Sequence, residues 1–191
     1  TSFYKRILFP NLGSYKWSSS ETTLPANETK KEFDKKPVLE RFDHQLKISG
    51  LKTFHTLKPD FSWGCSNIDN LISKYNLSDY ILLFPFCSEH LQQKKWPYYD
   101  QLIKLIKQNH PNLKIVIAPG PDEIEKAKKL DAVSILKEDK AISISELAGL
   151  IKRSKFVVAN DTGPAHMAAH LNVKGLSLFG SHTTAHKVSI E

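Results

Sequence analysis

The stretch Phe156-Val157-Val158-Ala159-Asn160-Asp161-Thr162-Gly163-Pro164-Ala165-His166-Met167-Ala168-Ala169 decides the reading of the fold. Its first four residues are apolar without polar alternation, the pattern of a strand buried on both faces. Small and polar residues follow. Pro164 then suits the first position of a helix, which the pattern extends to Asn172. The same strand–turn–helix unit recurs along the chain. Apolar runs at 80–84, 114–118, 132–136 and 175–179 alternate with helical patterns at 96–110, 121–130 and 145–153. Ser143 and Glu146 have the spacing of a capping box ahead of the last of these. Such alternation implies right-handed crossovers and a parallel, doubly wound, Rossmann-like α/β sheet.

Upstream the pattern is weaker. Residues 10–37 are rich in Ser, Thr, Asn, Lys and Pro and read as a long irregular segment. Pro37 opens a helix with Val38, Leu39, Phe42, Leu46 and Ile48 as its apolar positions. Residues 63–76 hold a second helical pattern around Ile68, Leu71 and Ile72. The reading divides the chain into a remnant at 1–78 and a Rossmann-like domain at 79–191. No Met stands at position 1, so a piece of a longer protein is expected.

Composition narrows the function. The longest apolar stretch, around residues 80–86, is far below the roughly 20 residues of a spanning helix. The net charge of +7 is dispersed: residues 1–60 carry 11 basic and 7 acidic side chains, and residues 61–191 carry 16 and 13. A nucleic-acid binder concentrates such charge in a stripe, so no nucleic acid is expected. A mildly basic surface also suits an anionic small molecule or an anionic membrane. Two cysteines, Cys65 and Cys87, make no disulfide framework, and a reducing compartment is expected.

In a sheet of this kind ligands bind beyond the carboxyl ends of the strands. Residues 160–166 carry the most informative of these ends. Asp161 or Thr162 can cap the helix, Gly163 lets a ligand approach the backbone, and the free N–H groups favour an anion. A well-capped helix with no ligand is the plainer alternative. Lys94 and Lys95 precede a helix start, where a cation does not help the helix dipole. They form either a solvated loop or, with the Ser88 hydroxyl, a phosphate contact. Glu123 either serves its helix's first turn or meets a ribose hydroxyl. His166 and His170 lie one helical turn apart but lack a third partner for zinc. Cys87 reads as a small buried thiol.

At these residues the chain resembles the heptosyltransferases, glycosyltransferase family nine. The first match is residues 156–169 followed by Leu178-Phe179-Gly180, where the family shows D-T-G-x-x-H-x-A-A and then a strand ending in F-G. The second is Pro85-Phe86-Cys87-Ser88 followed by Lys94-Lys95-Trp96-Pro97, against P-G-x-S and K-x-W-P. The third is Gly120-Pro121-Asp122-Glu123, with Ser145-Glu146-Leu147-Ala148 further on. Order and spacing agree over residues 79–182. Residues 37–63 look like the end of the family's N-terminal domain.

The resemblance implies the C-terminal half of a GT-B enzyme that transfers a sugar from a nucleotide-sugar donor, typically ADP-L-glycero-D-manno-heptose. The acceptor would be lipopolysaccharide core or a related glycan. Ser88 and Lys94 would hold the diphosphate and Glu123 the ribose. Asp161, Thr162, Gly163 and His166 would surround diphosphate and sugar. Lys94 and His166 would stabilise the leaving group during an inverting reaction, with no metal or other cofactor required. The implied location is cytoplasmic, with peripheral contact to the inner face of the bacterial inner membrane. The chain departs from the family at Phe86, where Gly is usual, and at Ser181-His182-Thr183-Thr184, where P-T-x-P is common. The family's first Gly-rich loop, which bears a proposed acidic base, has no counterpart before Tyr4. A non-catalytic nucleotide-sugar-binding domain and a nucleotide-sugar epimerase are the competing readings.

Overall fold

The computed structural model describes residues 18–190, so the irregular segment expected at 10–37 lies partly outside the described residues. The chain divides into two compact units, Thr1–Leu57 and Lys58–Glu191.

The first unit contains a single helical turn, α1 (Lys30–Phe33), and a longer helix, α2 (Val38–Ile48). A capping box starts α1: the Thr29 hydroxyl accepts from Glu32 N–H while the Glu32 carboxylate accepts from Thr29 N–H. Pro37 stands immediately before α2, as its fixed φ favours. Phe33 is buried, with its ring 5.5 Å from that of His44, and His44 Nε2 bonds Thr23 O at 2.9 Å. The expected apolar positions of α2 do not form a core within this unit. No residue of the helix is buried, and Phe42 and Ile48 are exposed.

The second unit begins at Lys58, ahead of the boundary at 79 drawn from the sequence. The reason is packing. Ile68, together with Leu71 of α3 (Asp69–Lys74) and Leu77, enters the same core as Tyr80 and Leu82. Residues 58–78 therefore belong with the sheet that follows them.

That sheet has five parallel strands: β1 (Tyr80–Phe84), β2 (Lys114–Ile117), β3 (Val133–Ser134), β4 (Phe156–Asn160) and β5 (Gly175–Leu178). Their spatial order is β3-β2-β1-β4-β5. Every residue of β1 is buried, which is why its run shows no alternation. Leu82 pairs with Val116 on one side and Val157 on the other.

Helices cover both faces. Leu82, Val116 and Val157 share a core with α3, α6 (Ile144–Arg153) and α7 (Gly163–His170). The alternate residues Ile81, Leu83, Ile115 and Ile117 pack with α4 (Tyr99–Asn109) and α5 (Ile124–Ala127). The Tyr80 hydroxyl donates to Leu150 O at 2.7 Å, tying β1 to α6. The capping box of α6 is present: Glu146 N–H donates to Ser143 Oγ and Ser143 N–H to the Glu146 carboxylate. The pattern at 121–130 resolves into a 3-10 turn, Pro121–Glu123, and the single-turn α5. Tight bonds from Lys129 N–H to Lys126 O and from Leu130 N–H to Ala127 O close that helix early.

This topology fixes where a ligand can bind. From β1 the chain winds outward to β2 and β3, then returns to β4 on the other side of β1. The order reverses between β1 and β4, and the crevice lies beyond their carboxyl ends.

Candidate functional site

The loops after β1 and β4 meet at that reversal, and Asn160 joins them. Its side chain is fully buried. Oδ1 accepts from Trp96 N–H at 3.1 Å, while Nδ2 lies 3.4 Å from both Phe84 O and Phe86 O. One amide thus bonds a donor and two acceptors at the two ends of the loop after β1. It fixes both ends of the segment carrying Ser88 and Lys94. The sequence reading assigned Asn160 no role, although a buried polar residue ending an apolar strand is a usable signal.

The next residue, Asp161, gathers the charged groups. Its side chain is 3% exposed. Lys94 Nζ donates to Asp161 Oδ2 at 2.8 Å and to Asp161 O at 3.1 Å. His182 Nε2 lies 2.9 Å from the same Oδ2, and His166 Nε2 lies 3.7 Å from Oδ1. Burial alone pushes the Asp161 carboxyl upward. Hydrogen bonds from Lys94 and His182, with the nearby Lys94 and His166 charges, outweigh it and hold the group below the ordinary carboxylate range. A buried carboxylate needs such partners, so Lys94 sits on Asp161.

A cavity of about 500 Å³ lies beside this cluster. Ser88 and Cys87 line it from the loop after β1, Glu123 from the turn after β2, and Thr162 and Pro164 from the start of α7. Phe86, Ile117, Ile142 and Leu147 make much of its remaining wall apolar. Apolar walls with a few convergent polar groups are the usual form of a small-molecule site.

The predicted site residues therefore fall into two adjoining sets. Ser88, Glu123 and Thr162 line the cavity, whereas Lys94 and His166 stand around the Asp161 carboxylate. Asp161 and Thr162 are consecutive and join the two. Gly163 follows at the first turn of α7, and a Cβ there would meet nothing within 4 Å. The structure gives three of these residues a local role. The Thr162 hydroxyl does not cap α7; it donates to Asn160 O at 3.2 Å, an acceptor two residues back and within easier reach. The Glu123 carboxylate accepts from Gly120 N–H at 2.8 Å and so closes its own turn while facing the cavity. Cys87 is half-buried against the cavity and not a core thiol; burial pushes its thiol pKa up.

His182 is a second residue that sequence reasoning left unassigned. Its ring reaches Asp161 because the loop after β5 folds back over residues 93–94. Gly180 permits this, since a Cβ there would stand 2.7 Å from Gln93 O and 3.1 Å from His182 Nδ1. His166 and His170 are neighbours on α7, with ring centroids 6.5 Å apart. Among the described residues no three His, Cys, Asp or Glu side chains cluster closely enough to hold a metal ion. No described helix is long and apolar enough to cross a membrane.

A Rossmann-like sheet with a polar cluster and an apolar cavity at its topological reversal is an α/β domain of the kind whose ligands bind at that place. Residues 13–188 match the family described as glycosyltransferase family 9 (heptosyltransferase). The chain belongs to that family. It is similar to lipopolysaccharide heptosyltransferase 1 of Campylobacter coli, 32% identical over 98 residues, or 47% of this chain and 29% of that protein. Two solved structures share the fold. E. coli heptosyltransferase WaaC with ADP-2-deoxy-2-fluoro heptose matches 76% of this chain and 45% of its own at 23% identity and a TM-score of 0.55. A glycosyl transferase family 9 protein of Veillonella parvula matches 92% of this chain and 50% of its own at 17% identity and a TM-score of 0.60. The chain spans half or less of the length of these relatives.

Proposed function

We propose that this chain carries the donor side of an inverting glycosyltransferase and binds an ADP-sugar of the heptose type. One observation carries the reading: the Lys94–Asp161 pair stands at the sheet's topological reversal, beside the start of α7 and next to the cavity. An ammonium group has three N–H donors, and two of those on Lys94 go to Asp161. The third can meet a phosphate oxygen. The Ser88 hydroxyl and the N-terminus of α7 add neutral donors of the kind that favour an anion. The apolar wall suits the flat face of a base, and Glu123 suits a ribose hydroxyl.

In this reading Lys94 acts during bond cleavage. As the anomeric C–O bond breaks, the electron pair moves onto the diphosphate oxygen, and a fixed cation beside it lowers the barrier. His166 lies on the same side of the site and assists. Lys94 and the helix terminus supply this positive charge themselves, so EDTA is expected to leave ADP affinity unchanged. A glycan hydroxyl, in lipopolysaccharide core or a related surface glycan, attacks from the opposite face, gives its proton to a general base on the acceptor side and inverts the anomeric centre. The reaction belongs at the cytoplasmic face of a bacterial inner membrane, with the enzyme touching that surface peripherally. Isothermal titration of the chain with ADP and UDP tests the donor reading. Saturable binding of ADP, tighter than UDP, is expected. Binding of neither by the folded chain would contradict it.

A further inference from the structure

Asp161 Oδ2 has two hydrogen-bond partners, Lys94 Nζ at 2.8 Å and His182 Nε2 at 2.9 Å. Oδ1 has a different neighbour, His166 Nε2 at 3.7 Å, beyond direct hydrogen-bonding distance. The two oxygens are therefore not equivalent. The His182 side chain is only 17% exposed, although its backbone lies at the surface, so the imidazole is turned inward onto the carboxylate. It comes from the loop after β5, an element separate from those carrying Lys94 and Asp161. That loop is where this chain departs from the common family pattern, and Gly180 leaves room for the ring.

We infer that His182 is a positioning residue. With Lys94 it fixes Oδ2 and thereby the rotamer of Asp161, leaving Oδ1 to accept a hydroxyl of the bound sugar. This rests on the donor reading above. Without His182, Lys94 alone holds the carboxylate, and both groups gain freedom. A ligand that uses Oδ1 then loses affinity, while one that lacks the sugar loses less. His182 is in this sense a determinant of sugar binding that acts through Asp161 without touching substrate.

The test uses the full chain with the variants His182→Ala, His182→Gln and Asp161→Asn, each checked by thermal unfolding. Two measurements are made. The first is the 15N signature of the His182 imidazole without ligand. A protonated Nε2 that shifts on Asp161→Asn is expected; signals indifferent to that change would overturn the positioning contact. The second is affinity for ADP and for ADP-heptose. His182→Ala is expected to lose about tenfold for ADP-heptose, the scale of one hydrogen bond to a charged group, and markedly less for ADP. His182→Gln, which keeps an N–H at a similar reach, is expected to restore most of it. Equal losses for both ligands, no loss, or a Gln variant as weak as Ala would overturn the inference. A wild-type chain that binds neither ligand would overturn the donor reading, and the sugar half of this inference with it. The imidazole signature still decides the His182–Asp161 contact in that case.

Discussion

Asn160 and Asp161 are neighbours with opposite tasks. Asn160 uses a neutral amide to hold two loops together, and Asp161 uses a charge to collect cations. Replacing Asn160 by Ala removes the side-chain partner of Trp96 N–H and of two carbonyls, in a place that is partly to fully buried. A loss of about 1–3 kcal/mol is expected from urea unfolding, the range for an orphaned buried polar group. The residues of this site were readable to different degrees. Asp161, Thr162 and Gly163 sit in one continuous stretch with a strand before them and a helix after, so their place at a helix start follows from local pattern. Pairing of Lys94 with Asp161 did not follow, because 67 residues separate them and only the β1–β4 register brings them together. His182 was harder still. Its position depends on the β4–β5 pairing, seen where Asp161 N–H donates to Leu178 O at 3.1 Å, and on the space left at Gly180.

At the scale of elements, α6 shows how local chemistry and long-range packing combine. Its start is encoded by Ser143 and Glu146, and its inner face by Ala148, Leu150 and Ile151, all fully buried. Ser143→Ala is expected to destabilise the unit by about 1 kcal/mol, measured by denaturant unfolding. Glu146 adds a pH dependence. Lys137, at 2.7 Å, and the bonds from Ser143 pull its carboxyl down to about 2 from an ordinary 4.5. A depressed carboxyl stabilises the fold above its unfolded pKa and loses that contribution as the proton binds. Stability from this cap is thus whole above roughly pH 4.5 and falls as pH drops toward 2. Glu146→Gln is expected to flatten this part of the acid-unfolding profile. The elements the sequence marked best are those with such signals: uninterrupted apolar runs for β1, β2 and β4, and capping residues for α6. The single-turn α5 lacked a stop signal that pattern alone could read. Helix α2 had an apolar stripe that its own unit does not bury.

At the scale of the molecule, the unit beginning at Lys58 is organised by β1. Leu82 is fully buried at the centre of the sheet, between β2 and β4. Leu82→Ala is expected to cost about 2–5 kcal/mol in urea unfolding, the range for emptying a closely packed core position. The same strand delivers the loop bearing Ser88 and Lys94 to the crevice, so the core that stabilises the sheet also sets the site's geometry. The central claim is that Lys94, held by Asp161 at the reversal of the sheet, forms the donor diphosphate site. Titration of ADP into the wild-type chain, Lys94→Ala and the exposed neighbour Lys95→Ala tests it most directly. The expected result is a loss of about tenfold or more for Lys94→Ala, with Lys95→Ala close to wild type. Equal affinity in all three folded chains would contradict the claim.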